Sequence, residues 1–338
     1  MNQAIVFTTI NKLTKGMEKF ASIPGWHCIV VGDKKTPSAQ AFDHPNITFI
    51  PYDEQKALGF QIEERLPVNH YSRKNLGYLY AIKHGATVIA ESDDDNIPYD
   101  HWGDTIPPAF SIKAYDTIQS PRFCNVYKLM SDETIWPRGF PLDFLNKRQD
   151  IQYKRETFDK ICIWQGLADR DPDVDAIYRL IFKNDQIVFA RPEHPLVLGQ
   201  NVYCPFNSQN TVWAQMAFVY LYLPCFVSFR FTDILRGYVA QKGIWALNGR
   251  LGFDGATVYQ ERNRHDLMKD FKDEIECYLN VNGVVSALDL CELTGDPFSD
   301  IVDIYSTLNR YDFVQAREVE CVRSWVACIE PLLNSNPS

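Results

Sequence analysis

Residues 72–98 read SRKNLGYLYAIKHGATVIAESDDDNIP, and this stretch decides the fold. Leu76, Leu79 and Tyr80 share one face at helical spacing, so a helix is predicted, with Ser72 as N-cap and Gly85 just past the C-terminus. A buried strand follows at once over residues 87–90 and runs into Asp93, Asp94 and Asp95. Three carboxylates are therefore expected at the carboxyl end of a strand, where open α/β sheets bind their ligands.

Upstream, residues 4–8, 26–31 and 47–50 are short apolar runs ending in polar or Gly/Pro punctuation, and residues 11–20 are long enough for a helix between the first two. The alternation predicts an α/β fold with a mostly parallel central sheet. Residues 100–165 are rich in aromatics, proline and turn formers, and read as a long irregular connection with one or two strands. Helices are predicted over 174–182, 231–240 and 267–279, and within 301–333. The run 212–229 contains Gln215 and Pro224, which makes it buried core and not a bilayer span.

The bulk numbers narrow the function. Lys+Arg 34 against Asp+Glu 43 gives a net charge of −9, which repels polyanions and argues against a nucleic-acid binder. Nine cysteines lie without any Cys-x-x-Cys pair, so neither a zinc knuckle nor a disulfide framework is written. Reduced thiols in a cytoplasmic compartment are expected. The start, MNQAIVFTTINKLTK, has no secretory-signal pattern.

Several groups could carry chemistry. In extended backbone Asp93 and Asp95 point to one side and could grip Mg²⁺ or Mn²⁺; a solvated acidic turn reads the same way. Arg73 and Lys74 oppose the macrodipole at the start of their helix, a placement that a bound diphosphate would reverse, although two surface bases look alike. Asp33, in the turn after residues 26–31, could accept from a base or ribose, or simply shape that turn. Asp233 could serve as a general base or pair with Arg230 or Arg236, and His265 could complete a metal shell or be structural. The run Asp169-Arg-Asp-Pro-Asp-Val-Asp175 fails as an EF-hand, with Val174 at the glycine position and Leu180 at the glutamate position; Asp173 or Asp175 is expected to cap the helix that follows.

Taken in order, VVGDKKTP (30–37), the opening stretch, WQGLADRDPDVDAIYRL (164–180), SFRFTDILRGYVAQ (228–241) and VYQERNRH (258–265) resemble the STELLO-type glycosyltransferase-like family. The resemblance spans about residues 4–266. The acidic triplet also resembles the Asp-x-Asp element of GT-A glycosyltransferases, including the reversibly glycosylated polypeptide family of nucleotide-sugar mutases. It implies a Rossmann-type, GT-A-like nucleotide-sugar-binding domain over 1–266, with a nucleotide half (1–100), an acceptor half (101–266) and a helical C-terminal region (267–338).

Carried over by position, Asp93 and Asp95 hold the metal and ribose, Asp94 lies at the donor, Asp33 and Thr9 near the base, and Arg73 and Lys74 near the phosphates. Asp233 falls at the acceptor-side base and His265 at the metal. The expected activity is Mn²⁺- or Mg²⁺-dependent transfer from a nucleoside-diphosphate sugar, a UDP-sugar first, to a glycan or other hydroxyl acceptor, leaning to inversion. A mutase on the same fold, or a noncatalytic nucleotide-sugar-binding scaffold, is the alternative. The plant members carry a membrane anchor and a Golgi setting, whereas this chain opens almost on its first strand, so a soluble cytoplasmic enzyme is expected.

Overall fold

The computed structural model describes residues 1–104, 112–119, 122–147, 151–158, 160–182, 186–192, 195–261 and 266–335. Strands β1 (Gln3–Thr8), β2 (Trp26–Val31), β3 (Ile47–Ile50) and β4 (Val88–Ser92) form a parallel block in the order β3-β2-β1-β4, within a residue or two of the apolar runs that predict them. Helix α1 (Lys15–Ala21) links β1 to β2, capped by the Thr14 hydroxyl on the Met17 N–H. Helix α2 (Lys74–Lys83) precedes β4. Ser72 is not its cap: Tyr71–Arg73 make a 3₁₀ turn in which the His70 imidazole accepts from the Ser72 N–H at 3.1 Å. Gly85 ends the helix with φ of +85°, as glycine readily does.

The chain continues through β5 (Asn96–Pro98), β6 (Ile112–Gln119), α3 (Val126–Leu129), β7 (Gln152–Phe158), β8 (Ile161–Asp169), α4 (Ala176–Ile181), β9 (Leu196–Leu198) and β10 (Asn210–Ala214). Helix α5 (Thr232–Ala246), β11 (Arg250–Gln260), and helices α6 (Leu267–Asp289), α7 (Pro297–Arg310) and α8 (Ala316–Ser335) follow. The sheet extends beyond β4 as β10-β8-β11-β9-β6-β7, with β5 on β11. Because β10 is antiparallel to both β4 and β8, and β11 is parallel to β8, β8 and β11 run with the parallel block. Most of the run 212–229 is core, as expected: the end of β10 and residues 217–225, the latter beginning in a 3₁₀ segment at Gln215–Leu221, are buried, whereas residues 226–228 are half-buried and Phe229 is exposed. Among the described residues, no helix is long and apolar enough to cross a membrane.

Alternate side chains of β1 and β2 feed opposite layers. Val6, Ile29 and Val31 pack under α2, while Ile5, Phe7, Cys28 and Val30 meet Met17 and Phe20 of α1. Buried side chains of α6, α7 and α8 continue the α2-side layer without a break. Polar anchors fix that join: the Glu318 carboxylate accepts from the N–H of Cys225 at 3.0 Å and of Phe226 at 2.7 Å, and Trp325 Nε1 donates to Val219 O at 2.8 Å.

Helix α2 lies close on the sheet because Gly77 has no side chain. A Cβ there would sit 2.5 Å from Val6 Cγ1 and 2.8 Å from Val31 Cγ2. Gly77→Ala gains helix propensity of about 1 kcal/mol but meets a packed layer, and overpacking costs about 1–3 kcal/mol. The clash wins, and a lower urea midpoint is expected; an alanine variant as stable as wild type would show that α2 can withdraw freely.

Candidate active site

The register puts the ends of β1, β2 and β4 side by side, with Thr8 opposite Val31 and Val6 opposite Glu91. The residues just past those ends, Thr9, Asp33 and Asp93 to Asp95, line one cavity of about 550 Å³ together with Arg73, Lys74 and Asp233. The sequence-predicted residues thus converge, apart from His265, which lies outside the described residues.

The triplet is a tight turn, with Asn96 N–H on Asp93 O at 3.3 Å, and not the extended run the sequence suggested. Its side chains diverge. Asp94 ties the turn to β1, accepting from the Thr9 hydroxyl and from Asn11 Nδ2 at 2.9 Å. Asp95 accepts from Gln260 Nε2 at 2.8 Å, across at the end of β11. Burial pushes the Asp93 carboxyl well above the usual range; Lys74 opposes this, while Asp95, Asp173 and Asp233 add to it as like charges.

Among the described residues no three acidic, imidazole or thiol groups form a ready metal cage. The donor set nevertheless fits a hard divalent cation: carboxylate oxygens at a strand end, one of them short of positive charge, with room for ligand oxygens to complete the shell.

Asp33 is held by its own turn, accepting from Lys34 N–H at 2.7 Å and His70 N–H at 3.1 Å. Burial lowers the His70 pKa to about 4, with Asp33 pulling weakly the other way, so the imidazole is neutral and free to accept from Ser72. Lys74 is 2% exposed, lines the cavity, and has no hydrogen-bond or ion-pair partner among the described residues. Its charge faces Asp93.

Two placements correct the sequence reading. Arg73 is no phosphate clamp: its guanidinium turns into the protein, donating to Gln55 Oε1 at 2.7 Å, Glu63 Oε1 at 2.6 Å and Leu66 O at 3.1 Å, over the Tyr52 ring. It braces the loop before α2. Asp233 is no general base, and it pairs with neither of the arginines considered, Arg230 or Arg236. Arg138 grips both of its oxygens, Nη1 to Oδ1 at 3.0 Å and Nη2 to Oδ2 at 2.9 Å, and Ser208 N–H adds a bond at 3.1 Å. Burial alone would raise this carboxyl, yet Arg138 overrides it and holds Asp233 well below the usual range. With Tyr71, Ser208 and Ile234 also donating to it, Asp233 has no lone-pair site left for a substrate hydroxyl.

Arg138 also grips Asp173, Nε to Oδ1 at 2.8 Å and Nη2 to Oδ2 at 2.7 Å, so one guanidinium bridges two cavity carboxylates. The capping expectation divides here: Asp175 caps α4, accepting from Tyr178 N–H at 2.7 Å, while Asp173 lines the cavity. Arg138 went unnoticed in the sequence because it sits in a turn, before Gly139 at φ +85°, in a region without periodicity. Arg230, weighed only as a partner for Asp233, is held through Nε by Glu274 of α6 at 2.5 Å.

No family model matches the chain. Two curated Arabidopsis thaliana proteins do match it. One, named probable glycosyltransferase STELLO2, is 28% identical over 343 aligned positions, covering 95% of this chain and 44% of the relative. The other, probable glycosyltransferase STELLO1, is 30% identical over 304 positions, covering 84% of this chain and 38% of the relative. The chain is similar to the STELLO proteins along most of its length. It spans about two fifths of those relatives' length. A solved structure, S. aureus TarS 1-349 in complex with UDP-GlcNAc, aligns over 100% of this chain and 82% of its own, with a TM-score of 0.39 and 12% identity.

Proposed function

We propose that this chain transfers a sugar from a nucleoside-diphosphate sugar to a hydroxyl acceptor, with Mn²⁺ or Mg²⁺, in glycan or polysaccharide synthesis. One observation carries the reading: three parallel strand ends and the start of α2 bring a carboxylate-rich turn and a buried lysine, without a hydrogen-bond partner among the described residues, to one cavity of about 550 Å³, a volume in the range of small-ligand sites. The names of the STELLO relatives support the reaction class. A cytoplasmic setting is part of the proposal, supported by nine free thiols.

In this reading Thr9 and Asp33 face the base and ribose, and Lys74 takes one phosphate oxygen with a charge-assisted bond. Asp93 and Asp95 hold the cation, which supplies charge neutralisation at the diphosphate leaving group. His265, the last residue of the resembling segments, is proposed as a further ligand.

A thermal-shift screen of nucleotide sugars with Mn²⁺ tests this. At least one UDP-sugar is expected to raise the melting temperature, since a ligand that binds only the folded state stabilises it. Lys74→Met is expected to weaken that donor about tenfold or more, a loss of about 1.4 kcal/mol. A screen in which no nucleotide sugar stabilises the protein, or a methionine variant that binds as wild type does, would count against the assignment. Incubation with donor alone separates transfer from the mutase alternative, which rearranges the sugar without an acceptor.

A further inference from the structure

We propose that Asp173 is the proton acceptor of the transfer step, a role that rests on the glycosyl-transfer reading above. The two carboxylates bridged by Arg138 are not equivalent. Asp233 Oδ1 receives Arg138 Nη1 at 3.0 Å and the Ile234 N–H at 3.1 Å, with the Tyr71 hydroxyl at 3.2 Å. Its Oδ2 receives Arg138 Nη2 at 2.9 Å and Ser208 N–H at 3.1 Å, with the Ser208 hydroxyl at 3.4 Å. A carboxylate offers about four lone-pair sites, and Asp233 has spent them all.

Among the described residues the Asp173 carboxylate accepts from Arg138 alone, once on each oxygen, at 2.8 and 2.7 Å. One site on each oxygen remains, and the side chain is 12% exposed where that of Asp233 is 4%. It lines the cavity, and it lies near enough to the acidic turn for its charge to act on Asp93.

The segment that carries Asp173 is fixed from several sides, as a reacting group requires. Its own carbonyl accepts from Arg138 N–H at 2.9 Å, and Pro172 O accepts from Arg179 Nη2 at 2.7 Å. Ala176 N–H donates to Glu274 of α6 at 2.7 Å. Arg138 is the positioning residue of the pair: clamped by Asp233, it holds Asp173 in one orientation.

In the step itself the acceptor O–H proton passes to an Asp173 oxygen. The freed oxygen pair forms the bond to the anomeric carbon, and the bond from that carbon to the diphosphate oxygen breaks, its electrons leaving with the diphosphate. A single displacement of this kind inverts the anomeric configuration.

The test uses the full chain with a UDP-sugar, Mn²⁺, and methyl or p-nitrophenyl glycosides as hydroxyl acceptors. Asp173→Asn is expected to lower kcat about 100-fold or more and to leave the donor KM unchanged. Added formate is expected to restore turnover to Asp173→Gly, a rescue that a purely structural role would not show. Product of retained configuration, or an Asp173→Asn kcat within about threefold of wild type, would overturn the assignment while leaving glycosyl transfer standing. No turnover of any donor by the wild-type chain would overturn both.

Discussion

Arg138→Met is expected to destabilise the fold by about 3–5 kcal/mol near neutral pH, the usual cost of removing one partner from a buried ion pair. Arg138 is buried, and its side chain supplies two bonds to Asp173, two to Asp233 and one to Arg230 O. Methionine fills much of the volume and removes every donor. Two carboxylates are then left facing each other with no cation between them.

The pH dependence gives this variant a signature. In the wild type the folded Asp233 carboxyl lies below its unfolded value, so its contribution is fully present above the ordinary carboxylate range of about 4 and is lost only as pH falls through the lower folded value. Without Arg138 the sign reverses: burial and the neighbouring Asp173 raise the folded value, and stability falls as pH rises through it. The gap between variant and wild type should therefore be widest near pH 7–8 and narrow toward about pH 5. Denaturant midpoints at three pH values check this, and a gap independent of pH would show that lost packing dominates.

The parallel block was legible because short apolar runs punctuated by Gly, Pro and charge have few other readings: β2 and β3 begin and end where residues 26–31 and 47–50 predict. Once a parallel sheet is granted, Thr9, Asp33 and the acidic turn must share one edge, since topology alone places carboxyl ends together. What was not legible depends on convergence. That Asp233 is saturated follows from Tyr71, Arg138 and Ser208 arriving from three distant segments, and no local pattern announces it. Arg73 and Lys74 are adjacent in sequence and alike in charge, yet the 3₁₀ turn before α2 sends the first guanidinium to Glu63 and leaves the second residue at the cavity.

Asp95→Ala is expected to abolish the gain in donor affinity that Mn²⁺ confers, and to lower kcat about 10²–10³-fold, the usual scale for losing one preorganised electrostatic contact at a leaving group. The fold should survive, because Asp95 lies half-buried in a surface turn, with its carboxylate on the Gln260 amide. Removing Asp95 also relieves Asp93 of a like charge, so the ligand-free variant should be no less stable than wild type. That combination separates a metal ligand from a structural acid: a structural acid would lose stability and activity together. Asp94→Ala is the contrast, since it cuts the bonds from Thr9 and Asn11 that join the turn to β1, and should therefore weaken UDP binding with and without the metal. Calorimetric titration of UDP, with and without Mn²⁺, reads both variants. If Asp95→Ala binds UDP more tightly on adding Mn²⁺ to the same degree as wild type, the cation is held elsewhere and the assignment of Asp95 fails.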